Sequence, residues 1–168
     1  MHRTPFNVDE IFEMAEQIER NGGDFYRRAV DIVTEPEARD FLKRLAVLEV
    51  EHEHTFAALR KKIKGAAAES SIDDREDLAV TYLRALVTGT VFDEALWSIE
   101  AADTVVAILK KALRAEKDSI AFYIGLREML RSPDDRETVD EIVREEMRHV
   151  AMITVQLAKR IALPVVNE

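Results

Sequence analysis

Leu45-Ala46-Val47-Leu48-Glu49-Val50-Glu51-His52 is echoed by Ile142-Val143-Arg144-Glu145-Glu146-Met147-Arg148-His149. Both stretches end in Glu-x-x-His, and the copies are 97 residues apart (146 − 49 = 149 − 52 = 97). The same offset carries Glu19 onto Glu116, Phe25 onto Phe122, Tyr26 onto Tyr123, Pro36 onto Pro133 and Arg39 onto Arg136 without a gap. Four carboxylates and two imidazoles therefore fall into two equivalent halves. This is how a four-helix bundle builds a two-metal site.

The surrounding sequence reads as helix. Apolar positions Ile11, Ala15, Ile18, Phe25, Ala29 and Ile32 follow the helical period from Asn7, a capping residue, to about Thr34. Gly22-Gly23 interrupts this helix one turn after Glu19, where missing side chains either leave room for a bulky neighbour or are simply a tolerated soft spot. Pro36 opens a second helix whose stripe of Leu45, Leu48, His52, Phe56, Leu59 and Ile63 runs to a stop at Gly65. After a loop over 65–74, Asp73 or Asp74 caps a shorter helix from Arg75 to about Thr88, ended by Gly89. A third long helix starts near Asp103/Thr104 and reaches about Arg131. Ser132-Pro133-Asp134-Asp135 starts the fourth, which continues towards Pro164. The chain is expected to be one all-α domain over 1–168, with helical hairpins at 7–64 and 103–163 joined by a long crossover over 65–102.

Composition agrees and excludes other classes. Of 168 residues, 47% are hydrophobic and 34% charged, with five Gly and four Pro, which favours long amphipathic helices. The net charge of −9 argues against nucleic acid or an anionic membrane as partner. With no Cys there is no thiolate metal site. No apolar run approaches a membrane span and the N-terminus lacks the apolar core of a signal peptide, so a cytoplasmic location is expected.

Residues three apart on a helix differ by about 60° in azimuth, so Glu-x-x-His can aim both side chains at one centre. All six residues replace apolar ones on core-facing stripes. Carboxylates converging in a core repel by about 4 kcal/mol per pair at about 4 Å, even at an effective dielectric of about 20. Two divalent cations cancel that repulsion. The expected ligands are Glu19, Glu49, His52, Glu116, Glu146 and His149, with Glu49 and Glu146 bridging and Glu19 and Glu116 outermost. The oxygen and nitrogen donors suit iron or manganese, and affinity order does not exclude zinc.

These segments, with Ala15-Glu16-Gln17-Ile18-Glu19, Phe25-Tyr26 and Ala115-Glu116-Lys117-Asp118-Ser119-Ile120-Ala121-Phe122-Tyr123, resemble the rubrerythrin branch of the ferritin-like superfamily. The resemblance covers nearly the whole chain and is to a short form without a rubredoxin domain. It implies a ferritin-like bundle with a di-iron site that reacts with hydrogen peroxide or dioxygen, in a homodimer or larger assembly. An external electron donor such as a rubredoxin would then be required. At one position the pattern departs: Leu113 stands where such proteins place an additional Glu.

Glu16, the repeat partner of Leu113, is either a seventh carboxylate or a surface charge. Tyr26 and Tyr123 either hydrogen-bond the ligand carboxylates, where they can also carry an oxidising equivalent, or are core aromatics. Glu51 and His54 form a competing frame without a repeat counterpart and belong to the surface. Phe92 and Trp97 on the crossover either cover the bundle or form a subunit contact. Besides peroxide reduction, two functions fit the sequence: iron oxidation with sequestration, and a non-catalytic module stapled by its metals.

Overall fold

The computed structural model describes residues 8–66, 78–89 and 97–161. Among these residues there are five helices and no strands: α1 (Val8–Ile32), α2 (Pro36–Ala66), α3 (Leu78–Gly89), α4 (Val105–Met129) and α5 (Pro133–Ile161). α1 pairs with α2 and α4 with α5, while α3 lies against α4. The expected pair of hairpins with a long crossover is the observed architecture. None of these helices is long and apolar enough to cross a membrane.

The repeat extends to the hairpin turns. Pro36 and Pro133 each occupy the first helical position, where a missing N–H costs nothing. Arg39 donates to the carbonyls of Val30 and Val33 at 2.6 and 2.8 Å, and Arg136 donates to that of Leu130, the repeat partner of Val33. Each arginine thus satisfies unpaired carbonyls at the end of the preceding helix and places positive charge at its negative pole. Thr104 caps α4, its hydroxyl accepting from the Ala107 N–H at 3.2 Å.

Two expectations are corrected. Gly22-Gly23 does not interrupt α1, which runs through both residues. Gly65 does not stop α2, which continues to Ala66, so the first hairpin outruns its expected end at 64; no glycine adopts positive φ. A helix held by tertiary packing tolerates roughly 1 kcal/mol of unfavourable propensity per Gly. The Asn7 cap, the Asp73/Asp74 cap, Arg75, Phe92 and Pro164 lie outside the described residues.

The core is divided lengthwise. One apolar cluster gathers Ile11, Phe12, Ile18, Phe56, Phe122, Tyr123 and Ile142; the other gathers Phe25, Tyr26, Leu45, Ala112, Ile153 and Leu157. On all four long helices the residues between these clusters are the predicted ligands. Each end of the bundle can therefore fold around ordinary apolar packing, and together they hold a polar layer that would not fold by itself.

Candidate metal centre

Glu19 projects from α1, Glu49 and His52 from α2, Glu116 from α4, and Glu146 and His149 from α5. None is more than 5% exposed. Ligand atoms of Glu19, Glu49, His52 and Glu146 lie within 4.8 Å of one another, as do those of Glu49, Glu116, Glu146 and His149. Glu49 and Glu146 belong to both groups, and each group adds one Glu and one His of its own. The two imidazoles stack with centroids 5.6 Å apart and planes inclined by 23°.

Contacts in the cluster have ion-pair distances without hydrogen-bond geometry. His52 Nδ1 lies 2.7 Å from Glu146 Oε1 and 3.5 Å from Glu19 Oε2. His149 Nδ1 lies 2.9 Å from Glu146 Oε2, 3.5 Å from Glu49 Oε1 and 3.6 Å from Glu116 Oε1. Yet both Nδ1 atoms, both Glu146 oxygens and Glu49 Oε1 are buried without a hydrogen-bond partner. Leaving one such atom unsatisfied costs roughly 1–3 kcal/mol. Five gathered in one place fit a shared occupant that accepts lone pairs, and a pair of divalent cations meets that need.

Electrostatics point the same way. Burial, reinforced by Glu116 and Glu19, pushes the Glu146 carboxyl up to about 8. Burial and the charges of Glu146, Glu116 and Glu19 raise Glu49 well above the carboxylate range. Burial opposes charge on the imidazoles, but neighbouring carboxylates prevail: Glu146 and Glu19 hold His52 at about 11, while Glu116 and Glu146 hold His149 at about 10. Burial also acts to raise Glu116, but the adjacent Glu146 and His149, with the hydrogen bond from Tyr26, hold it below its usual range. Carboxylate pairs that need protons to coexist are where metal ions bind best.

The surrounding side chains include ones the sequence marked and ones it did not. Tyr26 follows Glu19 on α1 but donates its hydroxyl hydrogen bond across the bundle to Glu116; Tyr123 returns one to Glu19. Burial, with the nearby carboxylates, raises both phenols well above their usual range, so they stay donors. Glu145 was not anticipated. Its Oε2 lies 2.7 Å from His52 Nε2, which turns Nδ1 of that ring to the cluster. Its repeat partner is Leu48, so symmetry gave no signal for it.

Glu16 is drawn elsewhere. It lies 3.3 Å from Arg60, which also binds Asp9 and Glu13, and it belongs to neither ligand group. Glu51 and His54 are exposed, as expected. Trp97 covers the bundle edge-on to Phe25.

Gly22 has a specific reason to lack a side chain. A Cβ there would lie 3.0 Å from Glu49 Oε2 and 3.3 Å from its Cδ. Gly22→Ala is therefore expected to leave helix stability equal or improved, because alanine is the better helix former by about 1 kcal/mol. It should weaken metal affinity about tenfold by shifting the Glu49 carboxylate. Competition titration with a chromogenic chelator reads the second effect and thermal unfolding of metal-free protein the first.

The model of the ferritin-like domain family matches residues 7–159. The fold is similar to that of a protein from Thermotoga maritima described as a candidate ferritin-like diiron-carboxylate protein. The two superpose with a TM-score of 0.70 at 21% identity, over 95% of this chain and 99% of the other. No curated protein matches the chain.

Proposed function

The chain belongs to the ferritin-like domain family, and on that premise we propose that it is a di-iron oxidoreductase that reduces hydrogen peroxide with electrons from an external donor. The observation that carries this reading is the pair of buried donor groups sharing Glu49 and Glu146. In this reading Glu49 and Glu146 would serve both ions, Glu19 with His52 and Glu116 with His149 would complete the two halves, and iron would be the resident metal. When bound, the metal pair supplies redox chemistry for the balanced reaction H2O2 + 2 H⁺ + 2 e⁻ → 2 H2O.

The protein's own contribution is position, dryness and hydrogen bonding. Tyr26 and Tyr123 hold the outer carboxylates from opposite helices, which removes their rotational freedom. Glu145, with its side chain 45% exposed, fixes the His52 ring from the solvent side. The two apolar clusters close the site at both ends. Closure bears on the substrate, because a neutral peroxide molecule enters apolar surroundings without losing the hydration of a charge. An Fe²⁺ substrate passing through repeatedly would lose it at every turnover, which places iron oxidation second. Assembly as a homodimer, with a small redox protein as donor, completes the reading.

Stopped-flow oxidation of the reduced, iron-loaded protein tests it. Oxidation should be faster with hydrogen peroxide than with dioxygen and should stop at one metal pair per chain. Turnover of many added Fe²⁺ per site would establish iron oxidation instead. A redox-silent zinc pair in protein from iron-replete cells would leave only the stapled module.

A further inference from the structure

Trp97 is the chain's only tryptophan. Its indole meets Phe25 edge-on, centroids 6.1 Å apart at 76°, and Phe25 meets Tyr26 in the same way at 5.4 Å and 75°. The Tyr26 hydroxyl then donates to Glu116. These contacts lead without a break from a partly exposed indole to the buried cluster. The second half of the repeat begins alike, with Phe122 against Tyr123 at 6.0 Å and 81°. From there it leads to Phe56 and Phe12, both fully buried. Among the described residues, only the α1 half continues through ring contacts to an oxidisable side chain near the surface.

The two ends of this series are oppositely equipped. Trp97 Nε1 is buried with no hydrogen-bond partner. Among the described residues no group accepts a hydrogen bond from that N–H, so an indole radical cation formed there keeps its proton long enough to act as a strong one-electron oxidant. The Tyr26 hydroxyl already faces a carboxylate that accepts its proton as its electron leaves. Around Trp97, Asn21, Asp24, Arg27, Arg28 and Asp31 line a surface cleft of about 470 Å³.

We propose that Trp97 and Tyr26, coupled through Phe25, are the two stations of a one-electron relay between this cleft and the Glu116 side of the cluster. In the downhill direction, the Trp97 radical cation takes one electron from Tyr26, and the phenolic proton moves along the existing hydrogen bond to Glu116. The products are neutral Trp97, a neutral tyrosyl radical and protonated Glu116, so charge and atoms balance. In the working direction, with hydrogen peroxide as the oxidant that draws one electron from Tyr26 while its proton passes to Glu116, the resulting tyrosyl radical takes an electron from Trp97 and its proton back from Glu116. A one-electron donor of the small redox-protein class, seated at the cleft, then reduces the Trp97 radical cation. The use of the relay in turnover rests on the peroxide-reducing reading; the relay itself does not.

Pulse radiolysis of the full-length protein with redox-silent Zn²⁺ added tests it, with azide radicals as the oxidant that forms the tryptophan radical. The tryptophan band should decay by a first-order process independent of protein concentration as the tyrosyl band rises. Tyr26→Phe should abolish that rise, whereas Tyr123→Phe and Tyr82→Phe should retain it. An unchanged rise in Tyr26→Phe, its loss in Tyr123→Phe, or a tryptophan radical that decays without any tyrosyl signal would overturn the relay. Zinc content is measured on the same samples. Bound zinc without electron transfer refutes the relay and spares the metal site, while transfer without bound zinc does the reverse.

Discussion

Replacing Glu49 and Glu146 together with alanine is expected to abolish binding of both metal ions, read as metal content after dialysis. These two carboxylates are the only members common to both donor groups, so their loss leaves each group with one Glu and one His. Two ligands do not hold a divalent ion against water in a site built for four. Glu19→Ala is the contrast: it removes a ligand from the His52 group and leaves the His149 group complete. That variant should retain one tightly held ion. Retention of both ions by the double alanine variant would show that other residues bind them. Alanine also leaves cavities, so Glu49→Gln/Glu146→Gln serves as the fold control. Glutamine keeps the volume and carries no charge, which is the form that burial favours for both carboxyls. Its metal-free form should unfold no earlier than the parent protein.

The second large effect is proton release. Near neutral pH the metal-free cluster holds protons on His52, at about 11, on His149, at about 10, and on Glu146, at about 8, while burial shifts Glu49 in the same direction. Coordination requires neutral imidazole and ionised carboxylate, so loading the metal pair must expel these protons. About three should leave, and affinity for the pair should rise by roughly three orders of magnitude per pH unit near neutrality. The sign is fixed: raised affinities for protons make acid a competitor of metal, so lowering pH strips the site. Calorimetric titration in buffers of different ionisation enthalpy counts the protons. Release near zero would mean that these groups are already deprotonated in the metal-free protein.

The same shifts set the stability of the metal-free fold. Glu146 binds its proton more tightly when folded, at about 8, than its ordinary carboxyl would when unfolded. Its contribution is therefore present at low pH and lost as pH rises towards 8. Metal binding reverses that trend, since it stabilises only the ionised form.

Much of this was legible in sequence because the bundle repeats itself. Pro36 and Pro133 mark the hairpin turns, and the stripes through Leu45 and Ile142 mark the buried faces on which Glu49 and Glu146 stand. Helical periodicity converts such positions into burial directly, which is why all six cluster residues were found on core-facing stripes. The failures were local rules overridden by packing. Gly22-Gly23 reads as a break by propensity, yet the packing of α1 against α2 holds it helical, while Gly65, itself exposed, misses the end of α2 by a single residue. Glu145 escaped notice because its repeat partner is Leu48. It acts through a contact with His52 from 93 residues away, which no local pattern encodes.

Spacing alone determined the fold and the identity of the six cluster residues, since a helix of fixed pitch turns sequence intervals into shared faces. Only the tertiary structure decided how the halves interlock. Tyr26 serves Glu116 and Tyr123 serves Glu19 because facing helices bring each hydroxyl nearer the opposite carboxylate than the one on its own helix. Glu16 turns to Arg60 because a guanidinium lies within reach there. Trp97 meets Phe25 because its carbonyl accepts a hydrogen bond from Arg28 of α1, which holds the indole against that helix. These are contacts between distant segments, set by the packing of whole helices.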